Sequence, residues 1–370
     1  MSARVFCEGL LQKADVTIGG SRPWDLTVHN EQLFDAVLRS GTLGLGEAYM
    51  DGWWDAPALD EFFYKVVSAN LEKDVQRNLR TLLMLVRARL VNGQSRKGSM
   101  RVAREHYDLS PELYMSFLDP YNQYTCGYFK NTDDLNVAQE QKLDLICKKL
   151  QLTKGDRVLD IGCGWGGFAK YAAEHYGVSV TGITLSKEQL AYAKDFTKGL
   201  DVELRLQDYR DLKGTFDKIL VCGMIEHVGY KNYREIMEVV ERNLADDGLF
   251  LLHTIGYSRS VHATDPWINK YIFPGGMPPS IAQIGKSIEK LFVMEDWHNF
   301  GPDYDKTLMA WFKNFDTAWP TLKAKYDERF YRMWKYYLLS CAGAFRARDI
   351  QLWQIVLSKN GVLRGYQSVR

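Results

Sequence analysis

Residues 157–167 read Arg-Val-Leu-Asp-Ile-Gly-Cys-Gly-Trp-Gly-Gly, and no other stretch constrains the fold as tightly. Arg157 to Ile161 is apolar and β-branched, the character of a buried strand. Glycines then stand at 162, 164, 166 and 167, where the strand must turn sharply into a helix expected over 168–176. A glycine has no Cβ, so its backbone reaches φ > 0 and a ligand can approach to van der Waals contact. The start of the helix offers N–H groups without intrahelical partners. Such a turn holds a dinucleotide or S-adenosylmethionine, or else merely packs a helix on a sheet.

The spacing G-x-G-x-G-G differs from the dinucleotide fingerprint G-x-G-x-x-G, which aims a helix start at a pyrophosphate. No Lys-Ser or Lys-Thr pair follows to cradle a triphosphate. Asp160, at the end of the strand, offers a carboxylate to the ammonium or nearby backbone of an amino-acid-bearing ligand. These features favour S-adenosylmethionine.

From residue 139 onward, strand and helix alternate. A helix at 139–150 leads into the first strand, and further strands are expected at 178–184, 202–206, 216–222 and 248–254. Helices are expected at 186–197, capped by Ser186, and at 231–244. This order predicts an α/β fold, a mostly parallel sheet with helices on both faces. Ligands on such sheets sit beyond the carboxyl ends of the strands. Asp160, Thr184, Asp208, Glu226 and His253 all fall at that end of successive strands.

The net charge is +1, so no global field draws the chain to nucleic acid. Six cysteines, at 7, 126, 147, 163, 222 and 341, include no C-x-x-C pair. That suits a reducing cytosol better than a disulfide framework, and no metal site is expected. With no secretory leader and no apolar run of membrane-spanning length, a soluble, cytoplasmic protein is expected.

The first 70 residues mix short elements, and Tyr49, Met50, Trp53 and Trp54 cluster within 44–55. A small satellite core accounts for them better than a lipid contact. Between Asp74 and Glu105 no acid intervenes among Arg77, Arg80, Arg87, Arg89, Arg96, Lys97, Arg101 and Arg104. Leu79, Leu82, Leu83, Val86 and Leu90 recur there at helical spacing. A basic amphipathic helix of this kind suits anionic headgroups, or is an ordinary helix with solvated arginines. The expected division is an N-terminal lipid- or membrane-associating domain over 1–90, a basic linker over 91–104 and a catalytic domain over 105–370.

Several longer motifs extend the reading. E-H-Y-D-L (105–109), Q-Y-T-C-G-Y (123–128), T-L-S-K-E-Q (184–189), M-I-E-H-V (224–228) and F-L-L-H-T-I-G (250–256) flank the glycine turn. D-P-W-I-N-K-Y-I-F-P (265–274), D-W-H-N-F-G-P-D-Y (296–304) and C-A-G-A-F-R-A-R-D-I-Q-L-W-Q (341–354) follow. Together with G-L-G-E-A-Y-M-D-G-W-W near the N-terminus, they closely resemble bacterial cyclopropane-fatty-acyl-phospholipid synthases, along nearly the whole chain. Mycolic acid cyclopropane synthases share the catalytic part but generally lack so large an N-terminal extension.

The resemblance implies a class I methyltransferase, Rossmann-like fold and transfer of a one-carbon unit from S-adenosylmethionine to a cis double bond of a phospholipid acyl chain. It places the cofactor on Asp160, Ile161, Gly162, Cys163, Gly164, Trp165, Gly166, Gly167 and Phe168, and on Thr184, Leu185, Ser186 and Gln189. Thr184 stands where an acid commonly grips the ribose; a threonine cannot do so bidentately, and Gln189 shares the task. Asp208 and Tyr209 flank the adenine, and Tyr124 and Thr125 close over the amino-acid end. Glu226, His253 and Tyr304, with Cys126 and the backbone at Ile255, match positions that hold a bicarbonate acting as base. A carboxylate suits that anion only by accepting a hydrogen bond from its OH.

Trp267, Tyr271, Phe273, Trp297, Phe300 and Trp311 are candidate walls for a cationic intermediate, although each taken singly reads better as an ordinary core residue. His227 and His298 read as structural, and Cys341 as a remote nucleophile candidate that the chemistry does not need. The implied partners are unsaturated phospholipid and an anionic membrane surface at the inner face of the cell membrane, with a homodimer also expected. Two other readings stay open: a related methyltransferase making a methyl-branched lipid or acting on a small amine, and a non-catalytic cofactor-binding lipid carrier.

Overall fold

In the computed structural model, residues 2–71 and 110–370 are described. The basic stretch at 75–104, the expected linker and the E-H-Y-D-L motif lie outside the described residues. The chain forms two compact units, one of residues 1–91, 263–274 and 304–350, the other of 92–262, 275–303 and 351–370.

The first unit is helical, with helices Ala3–Lys13, Gln32–Ser40, Thr42–Met50 and Leu59–Ser68 and two short paired strands, β1 (Thr27–Val28) and β2 (Trp54–Asp55). Its core is aromatic: Tyr49 and Trp54 pack edge to face at 5.1 Å, and Tyr336 meets both Phe63 (5.0 Å) and Trp267 (4.4 Å). Close helix contact depends on glycine, since a Cβ at Gly343 would sit 2.7 Å from the Asp60 carbonyl oxygen. Tyr49, Met50 and Trp54 are buried, so this cluster is core. Residues 263–274 and 304–350, which the sequence reading assigned to the catalytic domain, belong to this unit because their aromatic side chains complete its core.

The second unit is built on a seven-stranded sheet of β3 (Arg157–Ile161), β4 (Ser179–Thr184), β5 (Val202–Leu206), β6 (Phe216–Cys222), β7 (Leu244–Tyr257), β8 (Val293–Asn299) and β9 (Ile350–Ser358). The order is β5-β4-β3-β6-β7-β9-β8, with β3 to β7 parallel and β8 antiparallel to β9. Alternate residues along the strands feed two cores, as the period of two requires. Leu159, Ile161, Ile219, Val221 and Leu252 face the helices Tyr233–Asn243 and Ile281–Ile288. Val158, Val180, Leu220, Leu251 and Val356 face the helices Leu135–Lys149 and Gly167–Tyr176.

With both faces covered, the strands read as nearly continuous apolar runs. The five expected strands are all present, β7 longer than expected. The antiparallel pair β8/β9 was not foreseen, because the two long helices Pro302–Leu322 and Glu328–Arg346 separate its strands along the chain and no hairpin turn announces the pairing. From β3 the chain winds outward through β4 and β5, then returns to β6 on the other side. That reversal opens a crevice beyond the strand ends between β3 and β6, the place where ligands bind in open α/β sheets.

Candidate active site

Past β3 the chain turns through Gly162, Gly164 and Gly166, all at positive φ (86°, 53° and 84°). A Cβ at 162 would stand 2.7 Å from Met224 Cγ, whereas one at 164 would meet nothing within 4 Å. The turn is thus packed by protein at 162 and open at 164. The open side faces a cavity lined by Ile161, Gly162, Gly164, Ile183, Thr184, Leu185, Ser186, Gln189, Gln207, Tyr209, Gly223, Met224, His227 and Val228. Ser186 caps the helix Lys187–Phe196 by accepting from the Gln189 N–H at 3.2 Å. Thr184 Oγ1 donates to Gln189 Oε1 at 3.1 Å, so the two residues assigned to share one role are joined.

Other expected cofactor residues sit behind this lining. Phe168 is part of the sheet core, Trp165 packs against Tyr114 and Tyr192, and Cys163 lies under Gly182. Tyr209 lines the cavity, but the Asp208 carboxylate is engaged by Arg210, with Nη1 at 3.0 Å. Gln207, Gly223, Met224 and His227 also line it; nothing in the sequence singles out Gln207 or Gly223, Met224 enters only as part of the motif M-I-E-H-V, and His227 reads there as structural. Burial pushes the His227 imidazole down to about 4, so it is neutral there.

Gly164→Val tests the open side, since its branched side chain would enter the cavity from a backbone position with φ > 0. S-adenosylhomocysteine affinity should fall by about tenfold or more. Calorimetry showing parental affinity in the folded variant would remove this turn from the site.

A second group of polar residues lies at the ends of β6 and β7. Glu226 sits in the short 3-10 turn Ile225–His227 that follows β6. Its Oε1 accepts the Ile255 N–H at 2.8 Å, while Oε2 is buried without a hydrogen bond of normal geometry. Across the strands, Cys222 is in register with His253, and Ile255 lies two residues further on the same face of β7. Gln354 on β9 donates from Nε2 to His253 Nδ1 at 3.2 Å. The ring proton then sits on Nε2, which is buried and has no partner among the described residues.

Burial pushes the Glu226 carboxyl up to about 7, against smaller opposing effects of the Glu226 and Ile255 backbone N–H groups and the Thr254 hydroxyl. Burial, then the charges of Lys142 and Lys149, hold His253 well below its usual range and therefore neutral. Each unmatched buried polar group costs about 1–3 kcal/mol. One unmatched acceptor and one unmatched donor on adjacent strand ends suit a small ligand that both donates and accepts. Cys126, fully buried, donates from Sγ to the Gly127 carbonyl at 3.1 Å.

Tyr304 belongs to the first unit, with its ring 4.5 Å from Phe345 and edge-on to Trp311 at 6.0 Å. Trp267, Tyr271, Phe273 and Trp311 are in that unit as well, where Trp267 and Trp311 are fully buried core. Trp297 packs on Trp353, while Phe300 packs edge-on to His253 at 6.0 Å and to Tyr128 at 5.3 Å. Of the proposed walls, Phe300 packs on His253 and Trp311 on Tyr304, each pair within one unit. Burial lifts the Cys341 thiol to about 12, which leaves it protonated and unreactive.

The sequence reading missed Lys142. Its ammonium is buried and donates to Gln123 Oε1 at 2.5 Å and Thr125 Oγ1 at 2.9 Å. A signal was present, because Lys142 falls between Leu135, Ala138 and Ile146 on the buried face of its helix.

A family model described as mycolic acid cyclopropane synthetase matches residues 94–355. Cyclopropane-fatty-acyl-phospholipid synthase of Escherichia coli (strain K12) is 55% identical over 361 residues, 98% of this chain and 94% of that protein. Two solved structures are similar at 32% identity over 70% of this chain. They are the cyclopropane synthase MmaA2 from Mycobacterium tuberculosis, at a TM-score of 0.66 over 98% of that chain, and the mycolic acid cyclopropane synthase CmaA1 complexed with SAH and CTAB, at 0.65 over 98%. Coclaurine N-methyltransferase, at 22% identity and a TM-score of 0.71 over 86% of this chain and 100% of that one, shares the methyltransferase fold. Matched by the family model over most of its length and by a relative more than half identical along nearly all of it, the chain belongs to the cyclopropane synthase family.

Proposed function

We propose that the protein is a cyclopropane-fatty-acyl-phospholipid synthase. The observation that carries this reading is the 55% identity along nearly the whole chain, and the cavity beside the glycine turn supports it. Bound S-adenosylmethionine supplies a methyl group to the cis double bond of an acyl chain, and loss of one proton from that carbon closes the three-membered ring. Gly164 would leave room for the cofactor, Thr184 and Gln189 would hold its ribose, and Tyr209 would flank its adenine. A bicarbonate held at the ends of β6 and β7 would supply the base that takes this proton.

Glu226 Oε2 and His253 Nε2–H, both buried and unmatched at the ends of β6 and β7, fit that anion as acceptor and donor. Ile255 acts through the carboxylate, holding Oε1 with its N–H. Cys126, and Tyr304 of the other unit, are assigned to the same anion by the family resemblance alone. The direct test is incubation with unsaturated phospholipid vesicles and labelled S-adenosylmethionine, followed by acyl-chain mass spectrometry. A cyclopropane and a methyl-branched alkene have equal mass, so hydrogenation must follow. Uptake of hydrogen by the product would favour methyl branching, and no labelled lipid at all would leave a carrier.

No helix among the described residues is long and apolar enough to cross a membrane. The substrate resides in a bilayer, so the reading includes peripheral association with the inner face of the cell membrane, and a homodimer. The basic stretch at 75–104 is the proposed contact, each basic residue there contributing at most about 1 kcal/mol on an anionic surface. Neutralising Arg87, Arg89, Arg96 and Lys97 together should reduce sedimentation with anionic vesicles at low salt, with S-adenosylhomocysteine affinity unchanged. Equal sedimentation of variant and parent would make the stretch a packing element only.

A further inference from the structure

Gln354 closes the last of the long motifs, and it is the one polar residue in the run Leu352-Trp353-Gln354-Ile355-Val356-Leu357 of β9. The side chain is fully buried, and its Oε1 has no partner among the described residues, a cost that an apolar residue here would avoid. Residues two apart on a strand share a face, so Gln354 lies with Val356 on the side covered by the helices Leu135–Lys149 and Gly167–Tyr176. His253 shares that side of β7 with Leu251, and His298 stands opposite Gln354 in the register of β8. The sheet order β7-β9-β8 therefore sets His253, Gln354 and His298 in one buried row. Its far end is closed by Lys149, whose Nζ is 3.0 Å from His298 Nδ1.

Within this row His253 is backed by an amide and not by a carboxylate. Gln354 Nε2 reaches His253 Nδ1 at 3.2 Å. An amide nitrogen can only donate, so Nδ1 keeps its lone pair for that bond and the ring proton resides on Nε2. Protonation of both ring nitrogens would turn Nδ1–H against the same amide N–H. The neighbouring charges that bear on the ring, on Lys142 and Lys149, are positive and oppose its protonation as well. Phe300, edge-on at 6.0 Å, offers no acceptor. With Nδ1 engaged and Nε2 carrying the proton, the imidazole has no lone pair free to take another. An ionised carboxylate at 354 would do the reverse, accepting from Nδ1–H and leaving Nε2 as a base.

We propose that Gln354 is a positioning residue for the reaction, its amide fixing the Nε2–H tautomer of His253 so that the ring acts as a hydrogen-bond donor at the strand ends and is barred from acting as the base. The identity of the group that Nε2–H meets rests on the bicarbonate reading above; the tautomer does not.

The test is NMR of the imidazole nitrogens in the full chain, with isotope-labelled histidine at neutral pH in carbonate-depleted buffer. His253→Asn identifies the signals of that ring. The parent should show one neutral tautomer at His253, protonated at Nε2 and hydrogen-bonded at Nδ1. Gln354→Met, close in size but without a donor, should give His253 signals averaged between the two neutral tautomers. Its kcat on unsaturated phospholipid vesicles should fall by about 10- to 100-fold, with S-adenosylhomocysteine affinity unchanged.

A parent ring protonated at Nδ1, or at both nitrogens, would overturn the proposal, and that measurement needs no folded variant at 354. Parental kcat in Gln354→Met would overturn it too. So would a lower kcat with the His253 signals of the parent, because the amide would then serve packing alone. A parent with the expected tautomer whose rate ignores bicarbonate would defeat the bicarbonate reading and leave His253 the donor that Gln354 makes it.

Discussion

Replacing Glu226 by Gln should lower kcat by about 10- to 1,000-fold, with S-adenosylhomocysteine affinity little changed, as when a general base is lost or misplaced. The amide keeps the shape of the side chain. Its Oε1 can still accept the Ile255 N–H, now at 2.8 Å. What disappears is the buried acceptor at Oε2, which the proposed bicarbonate OH would meet. Only the carboxylate form accepts, and burial places its titration at about 7, so the parent rate should climb as pH rises through that value. The Gln variant should lose that part of the profile. Carbonate-depleted buffer should slow the parent, and added bicarbonate should restore it. Normal turnover by Glu226→Gln, or a parent rate indifferent to bicarbonate, would defeat this account of the base.

Gly167→Ala should be the most damaging single-methyl change in the cofactor turn. Gly167 opens the helix Gly167–Tyr176, and at an unobstructed helical position alanine would gain about 0.5–1 kcal/mol over glycine. Here the new methyl would overlap the Tyr121 carbonyl oxygen and the Gln123 amide nitrogen, so backbone must move. Overpacking of this kind costs about 1–3 kcal/mol. Urea unfolding should therefore show a net loss where propensity alone predicts a gain. Cofactor affinity should fall too, because the displaced 121–125 segment also abuts Gly223, which lines the cavity. A stabilised Gly167→Ala protein with parental affinity would mean that the 121–123 segment is not seated on this helix.

The glycine turn, the five parallel strands and the polar residues at their ends were legible in the sequence because each is a local pattern. Glycines where φ must turn positive, apolar runs of strand length and a serine at a helix start are dictated by covalent geometry within a few residues. The long motifs carried the family, and with it the roles assigned to Glu226 and His253. Which of these residues border the cavity, and which serve as its backing, was decided by tertiary packing. Trp165 and Phe168 went to the core, and Asp208 went to Arg210, because burial area and a nearby guanidinium outweigh membership of a motif. The strands β8 and β9 pair across some fifty residues, and 263–274 and 304–350 join the first unit, through contacts that no local spacing encodes. Lys142 shows the same division at one residue. The sequence carries a lysine on the buried face of a helix, but only the folded chain brings Gln123 and Thr125 onto its ammonium. A buried charge takes its meaning from the partners that replace water, and those partners come from segments distant along the chain.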